Sequence, residues 1–456
     1  MPTRLLVRAE ETEPGDAVPL LEPAGMPEDD PLLQREEKGS HWLVSALLLF
    51  NGLVGGGLLN IPFAFAAAGG LAYGLPITIV YSILACLCHL ALAKCADATG
   101  TDTFEKMVAA ILGKGGARLA VLTLFIVSFL VDTFLLVGIA DMLRNGVLWT
   151  EGVEAYCHRW YYSRAFTISL LILFIIGPAC LVKHIDGLKY LSGAATVGVL
   201  VIVGSVVAKF YASPELRTAK MPQGPEHFYD LFLAAPGIAL AFGNHFASVS
   251  IYARQSPRRL GTYAAAVLSS GGLGTIMYCT AAVFVLLMFG ARVEDDFIKS
   301  FRGNGSGLSI AIFVYALKLT FEYPLFQFIG WITTEDMLIG LGLPLESIWW
   351  FWRRLLISII WITSTAVIAL YFPAVSYFVP ILGALTIIIS LVFPGFCLCL
   401  LPKLEWGWER MGGLGISALG LTLTVISLAA FPASLGQLHR RQHQTLDFCV
   451  SLNATL

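Results

Sequence analysis

The chain has 456 residues, of which 57% are hydrophobic and only 13% charged, with a formal net charge of −2. Soluble proteins carry about 25% charged residues; a mean hydropathy of +0.76 and many apolar runs of spanning length instead predict an all-α polytopic membrane protein. The near-neutral charge argues against a nucleic-acid partner, and runs that are continuous rather than alternating argue against a β-barrel.

Residues 1–41 form a polar tail rich in Pro, Glu and Asp, read as disordered and cytosolic. It has no apolar signal core, so the first span is expected to be an uncleaved anchor. The tail holds Asp16-Ala-Val-Pro-Leu20-Leu21 and Glu28-Asp-Asp-Pro-Leu32-Leu33. Each puts an acid four residues before a Leu pair, as in dileucine sorting signals, and so suggests sorting adaptors as partners and an endosomal, lysosomal or vacuolar membrane. Incidental leucines in a solvated tail are the plain alternative.

Eleven spans follow, near 42–69, 72–95, 118–142, 165–182, 187–209, 228–252, 260–290, 307–330, 353–372, 375–401 and 412–433. Together they make a transporter-sized membrane domain over 42–435, leaving a short outer tail at 436–456. Between the second and third spans a surface helix is expected, capped by Thr101, Asp102 or Thr103. Tryptophans fall near span ends, as an interfacial belt requires (Trp42, Trp149, Trp349, Trp350, Trp352, Trp406, Trp408). With the N-terminus inside, 17 of the 29 Lys and Arg residues lie on the cytosolic side and 11 outside, while Lys318 lies within a span. The glycosylation sequons at Asn304 and Asn453 then both fall on the outer or luminal side. So do Cys157 and Cys449, which allows a disulfide. The other cysteines lie mostly in spans, without metal-ligand spacing. Arg258-Arg259 and Arg353-Arg354 read as topological anchors.

The first span is poor helix. It carries Gly52, Gly55, Gly56 and Gly57 between Asn51 and Asn60, with Pro62 beyond. Glycine weakens a helix and proline removes a donor. Backbone freed at mid-membrane must line a site or a cavity, so the bare amides of Gly55, Gly56 and Gly57 are expected to face a carboxylate. Close packing of a neighbouring helix on small residues is the alternative. The sixth span is interrupted in the same way at Phe242-Gly243-Asn244-His245. These two spans open two five-span halves, and matched interruptions point to a mid-membrane binding site. His245 in a break reads as a gate, a substrate contact or a proton-sensitive group; a packed polar residue is the plain reading.

The pattern Asn51-x-x-x-Gly55-x-Gly57-Leu-Leu, with Pro62 and Ala68-Gly69, resembles the first span of the amino acid/auxin permease family. Its nearest branch is the sodium-coupled neutral amino acid transporters and their vacuolar relatives. Phe242-Gly-Asn-His245 followed by Ile251-Tyr252, Gly100-Thr-Asp-Thr-Phe and Tyr323-Pro324 resemble further motifs of that branch, in the same order. The likeness covers about residues 42–435. It implies a LeuT-like fold of two inverted five-helix repeats plus one helix, and secondary transport of neutral amino acids with sodium or a proton as coupling ion and no other cofactor. It also implies that the two breaks hold the α-carboxylate and α-amino groups, and that Asn51 and a Thr of the eighth span serve a sodium site.

The eighth span departs from that pattern. It reads Lys318-Leu-Thr320-Phe-Glu322-Tyr323-Pro324, so the family's Thr position falls on Glu322, with Thr320 two residues earlier. Lys318 and Glu322 share one helical face, and charges at mid-bilayer cost about 3 kcal/mol or more. Three readings stand: the Lys318 ammonium replaces sodium, with coupling to protons through Glu322 or with no coupling at all; Glu322 supplies a carboxylate to a retained sodium site; or the pair is solvated in a vestibule. Asp132, near the middle of the third span, is a candidate partner for Lys318 or a proton relay. No nucleophile–base pair, P-loop or metal motif is present, so an enzyme is not expected. The reading is a neutral amino acid transporter working by alternating access, with an amino acid sensor of the same fold as its rival.

Overall fold

The computed structural model describes residues 39–151, 156–182, 196–225, 230–301, 308–343, 349–372, 374–402, 404–405 and 407–453, with side chains as far as Phe431. The leucine pairs Leu20-Leu21 and Leu32-Leu33 and the sequon residue Asn304 lie outside these residues, as do the side chains of Asn453 and Cys449. Cys157 is disulfide-bonded.

Helices make up nearly all of the described chain. In order they are α1 (Trp42–Leu53), α2 (Ile61–Ala67), α3 (Leu71–Thr99), α4 (Phe104–Thr150), α5 (Arg164–Cys180) and α6 (Val197–Ala212). Then come α7 (Ala235–Ala241), α8 (Ser248–Ala253), α9 (Leu260–Phe289), α10 (Ser309–Gly340), α11 (Trp350–Tyr371), α12 (Val379–Cys399) and α13 (Trp408–Asn453). Seven of them are long and apolar enough to cross a membrane. The first and sixth expected spans are each split in two, as α1/α2 and α7/α8. Part of the fifth expected span lies outside the described residues.

Local chemistry accounts for several boundaries. Thr103 caps α4, its hydroxyl accepting from the Lys106 amide at 3.3 Å. The expected surface helix is the start of α4, which turns at Gly113 into the third span. Gly113 has φ 71°, a conformation that costs a side chain energy and glycine nothing. Pro62 and Pro236 sit in the first turns of α2 and α7, where no helical donor is lost. The last helix runs on to Asn453, through most of the stretch expected as a tail.

The core forms between α4 and α10, α1 and α9, and α7 and α12, with α13 against α12. Outward faces remain apolar: Ile79, Val80, Ile83 and Leu87 on α3, Leu268 and Ile276 on α9, Leu356 and Ile360 on α11 are all exposed. In water this would be a large unpaired patch; in a bilayer these side chains meet their own kind. The arginine pair at the start of α11, read from sequence as a topological anchor, turns its side chains into the protein. Arg353 and Arg354 are buried; Arg353 pairs with Glu335 at 2.9 Å, and Arg354 donates to the Cys180 carbonyl at 3.0 Å while lying over Trp331. A guanidinium has enough donors and a flat enough face to be satisfied inside the protein.

Candidate functional site

The helix break between α1 and α2 lies at the centre of the bundle. After Leu53 the chain leaves the helix, and a single 3₁₀ turn, Gly56–Leu59, leads to Asn60. The three consecutive glycines face three different neighbours. A Cβ on Gly55 would strike the Glu322 carboxylate of α10, 2.2 Å away; on Gly56 it would strike the Phe134 ring of α4 at 2.7 Å; on Gly57 it would strike the Ala241 backbone at 2.6 Å. Both sequence readings therefore hold at once: the glycines break the helix and admit close neighbours. The Gly55 amide is not bare as expected: it donates to the Leu53 carbonyl at 2.9 Å. The amides of Gly56 and Gly57 have no acceptor among the described residues, so two of the three expected donors remain for a carboxylate.

The sixth-span break is its counterpart. Helix α7 stops at Ala241; Phe242, Gly243 and Asn244 are non-helical, and a short turn from His245 leads into α8. Two tyrosines that the sequence reading did not single out join the breaks. The Tyr278 hydroxyl lies 2.5 Å from the Leu53 carbonyl and 2.8 Å from the Ala241 carbonyl, so one side chain of α9 serves both breaks. Tyr315 of α10 donates to the Gly55 carbonyl at 2.9 Å. A buried phenol requires such a partner, and that requirement was the available signal in two mid-span tyrosines. Removing the Tyr278 hydroxyl takes away the donor shared by these two buried carbonyls, of which Leu53 keeps the Gly55 amide, at a cost of about 1–3 kcal/mol. Tyr278→Phe is therefore expected to lower the Tm of the detergent-solubilised protein by several degrees, and an unchanged Tm would contradict this role.

The side chains of the sixth-span cluster point to other helices. Asn244 donates from Nδ2 to the Leu49 carbonyl at 2.8 Å, and its Oδ1 lies 3.1 Å from His89 Nε2. The His245 ring stacks on His89 with centroids 3.9 Å apart, and its Nε2 lies 3.0 Å from the Ala85 carbonyl. A carbonyl only accepts, so that nitrogen carries the proton. His245 is fully buried and ties the break to α3. This matches the plain reading of His245 as a packed polar residue. Phe242 packs edge-on to Tyr278, and Gly243 lies against Thr386 of α12.

Lys318 and Glu322 form a buried ion pair of 2.7 Å, with Lys318 fully enclosed and Glu322 6% exposed. This removes the reading of a pair solvated in a vestibule. Lys318 does not pair with Asp132, as had been one expectation. Asp132, also fully buried, accepts from the indole Nε1 of Trp361 at 2.7 Å. The two residues are 229 apart in sequence, a contact that local pattern does not reveal. Asn51 accepts from Thr196 at 2.5 Å, while Thr320 donates to its own helix at the Ala316 carbonyl, 2.8 Å away. Thr196, too, was not selected from the sequence; a lone hydroxyl in an apolar run carries no signal.

The arrangement puts bare donors, carbonyl acceptors and one carboxylate around two broken helices, the equipment for holding a small zwitterion. Residues 38–438 match the family model described as transmembrane amino acid transporter protein. The chain is 27% identical over 362 residues to sodium-coupled neutral amino acid transporter 7 of Rattus norvegicus, covering 78% of each chain. It is 26% identical over 365 residues to human solute carrier family 38 member 8, covering 78% of this chain and 83% of that one. In fold it is similar to MhsT, crystallised in complex with L-phenylalanine, with a TM-score of 0.53, 12% identity, and 87% of this chain and 99% of that one covered. A manganese transporter from Eremococcus coleocola aligns with a TM-score of 0.50, 14% identity and 94% of each chain. These likenesses place the chain among transporters, not enzymes. On the match over 38–438, the chain belongs to the transmembrane amino acid transporter family, the amino acid/auxin permeases.

Proposed function

We propose that the protein is a secondary active transporter of neutral L-amino acids. Substrate binds between the two breaks, its carboxylate on the Gly56 and Gly57 amides and its ammonium among the carbonyls of Leu53, Gly55 and Ala241. Alternating access follows from rocking of the bundle that carries the broken helices. The observation that carries this reading is the paired break, with free donors on one side of it and carbonyls gathered by Tyr278 and Tyr315 on the other. The name of the sodium-coupled neutral amino acid transporter 7 relatives supports neutral substrates.

Coupling is proposed to differ from theirs. A fixed ammonium beside the break does the electrostatic work of a bound sodium ion, so Lys318 stands in that place and Glu322 balances it. The driving force is then a proton gradient, with sodium coupling through Glu322 as the alternative. The charge bias of the loops and the acidic leucine pairs of the tail support a cytosolic N-terminus and an endolysosomal or vacuolar membrane. Exchange separates a transporter from a sensor. Proteoliposomes preloaded with an unlabelled neutral amino acid are expected to accumulate the labelled one severalfold faster than empty ones. Saturable binding with no exchange would favour the sensor.

A further inference from the structure

The segment between α9 and α10 folds back over the end of the first break. Phe297, Ile298 and Phe301 are buried there, and charged residues are buried with them. Lys299 lies 2.9 Å from Asp141 of α4 and 3.5 Å from Asp295, and Arg164 of α5 holds the other side of Asp141. The Asp295 carboxylate accepts from the Ser376 amide at 3.1 Å and hydroxyl at 2.6 Å, just before α12. Its carbonyl accepts from Asn60 of the first break at 3.0 Å. One short segment is thus pinned to the break, to the third span and to the start of the tenth.

Asp141, Asp295, Lys299 and Arg164 balance as two negative and two positive charges. Asp296 is the group left over. It is fully buried; one oxygen accepts from the Ile298 amide at 3.0 Å, and the other has no partner among the described residues. Ionised in this place, it adds an unmatched charge out of water, which proteins avoid by protonation or by exposing the group. We propose that the 293–301 segment is a proton-operated lid over the substrate site. With Asp296 protonated the segment closes; with Asp296 ionised it lifts away.

The electrostatics support this. Burial pushes Asp296 up to about 7; Lys299 opposes the rise, and Asp141 and Asp295 add to it. Burial would raise Asp295 too, but Lys299 and the Ser376 bonds outweigh it and hold Asp295 down at about 2. Lys299 is itself raised, because the three carboxylates outweigh its burial, so it stays charged. The other groups facing the cluster are Arg164, Tyr315 and Tyr377. In an open, hydrated lid Asp296 returns to about 3.9. A carboxyl raised in the closed form favours closure fully below about pH 4, and that preference is lost as pH rises to about 7. On the reading above that this face is luminal, an acid lumen shuts the luminal entrance and turns the transporter toward the cytosol.

The test reads lid position and needs no transport, so its failure leaves the transport reading standing. Ile298→Cys in the full-length protein, in proteoliposomes, is labelled with a membrane-impermeant thiol reagent at pH 5.5 and 8. The rate is normalised to the exposed Arg292→Cys, because thiolate content itself rises with pH. Normalised labelling is expected to rise roughly tenfold or more between the two pH values. With Asp296→Asn added, it should stay low at both. Equal normalised rates with native Asp296 overturn the lid, and that arm stands even if Asp296→Asn fails to fold. A pH step that persists in Asp296→Asn overturns the assignment to Asp296.

Discussion

Glu322→Gln is expected to cost about 3–5 kcal/mol of stability and to reduce uptake at least a hundredfold, because it leaves the Lys318 ammonium buried without its partner. The penalty belongs to the stranded charge rather than to the lost contact. Lys318→Met combined with Glu322→Gln should therefore be more stable than Glu322→Gln alone, a non-additivity that two independent sites would not show. Lys318→Thr probes the other partner. It leaves a carboxylate beside Gly55 with a hydroxyl one turn away, a better cation site than the parent has. Uptake by the parent is expected to be indifferent to replacement of sodium by choline, and uptake by Lys318→Thr to become sodium-dependent. If sodium dependence is the same in both, Lys318 has no part in coupling. Thermal melts in detergent and ion-replacement uptake assays measure the two effects separately.

Gly57→Ala is the second large effect. Its new methyl would lie 2.6 Å from Ala241 Cα and 3.0 Å from Ala241 N, backbone atoms that no rotamer change can move. Overpacking of this kind costs about 1–3 kcal/mol, and here the strain falls on the two breaks that must hold one substrate. Uptake should drop ten- to a hundredfold with the protein still present in the membrane. At Gly55 the same change meets the end of the Glu322 side chain, which can swing, so its loss should be smaller. Gly204→Ala on α6 meets nothing within 4 Å and should behave as the parent.

The breaks were legible in the sequence because their signal is local: glycine, asparagine and proline interrupt apolar runs at matching places in two halves. The Lys318–Glu322 pair was legible for the same reason, since a four-residue spacing fixes a shared helical face. What lay beyond pattern was which distant element completes each group. Asp132 was open to Lys318 but is held by Trp361; Asn51 is met by Thr196; Asp141 at the end of the third span and Asp295 and Lys299 of the following loop carried no signal of pairing and are buried together. Arg353 and Arg354 followed the positive-inside pattern, yet their side chains turn inward to Glu335 and the Trp331 face. His245 looked chemically active from its type and position, and only the stacked His89 and the Ala85 carbonyl show where its ring is directed.

The most direct test of the central claim is uptake of a labelled neutral L-amino acid by purified protein in proteoliposomes, with sodium and proton gradients imposed separately. Saturable accumulation driven by the proton gradient, competed by other neutral L-amino acids, retained in Gly204→Ala and lost in Gly57→Ala, is the predicted result. Binding without accumulation, or accumulation unchanged by Gly57→Ala, would contradict transport through the paired breaks.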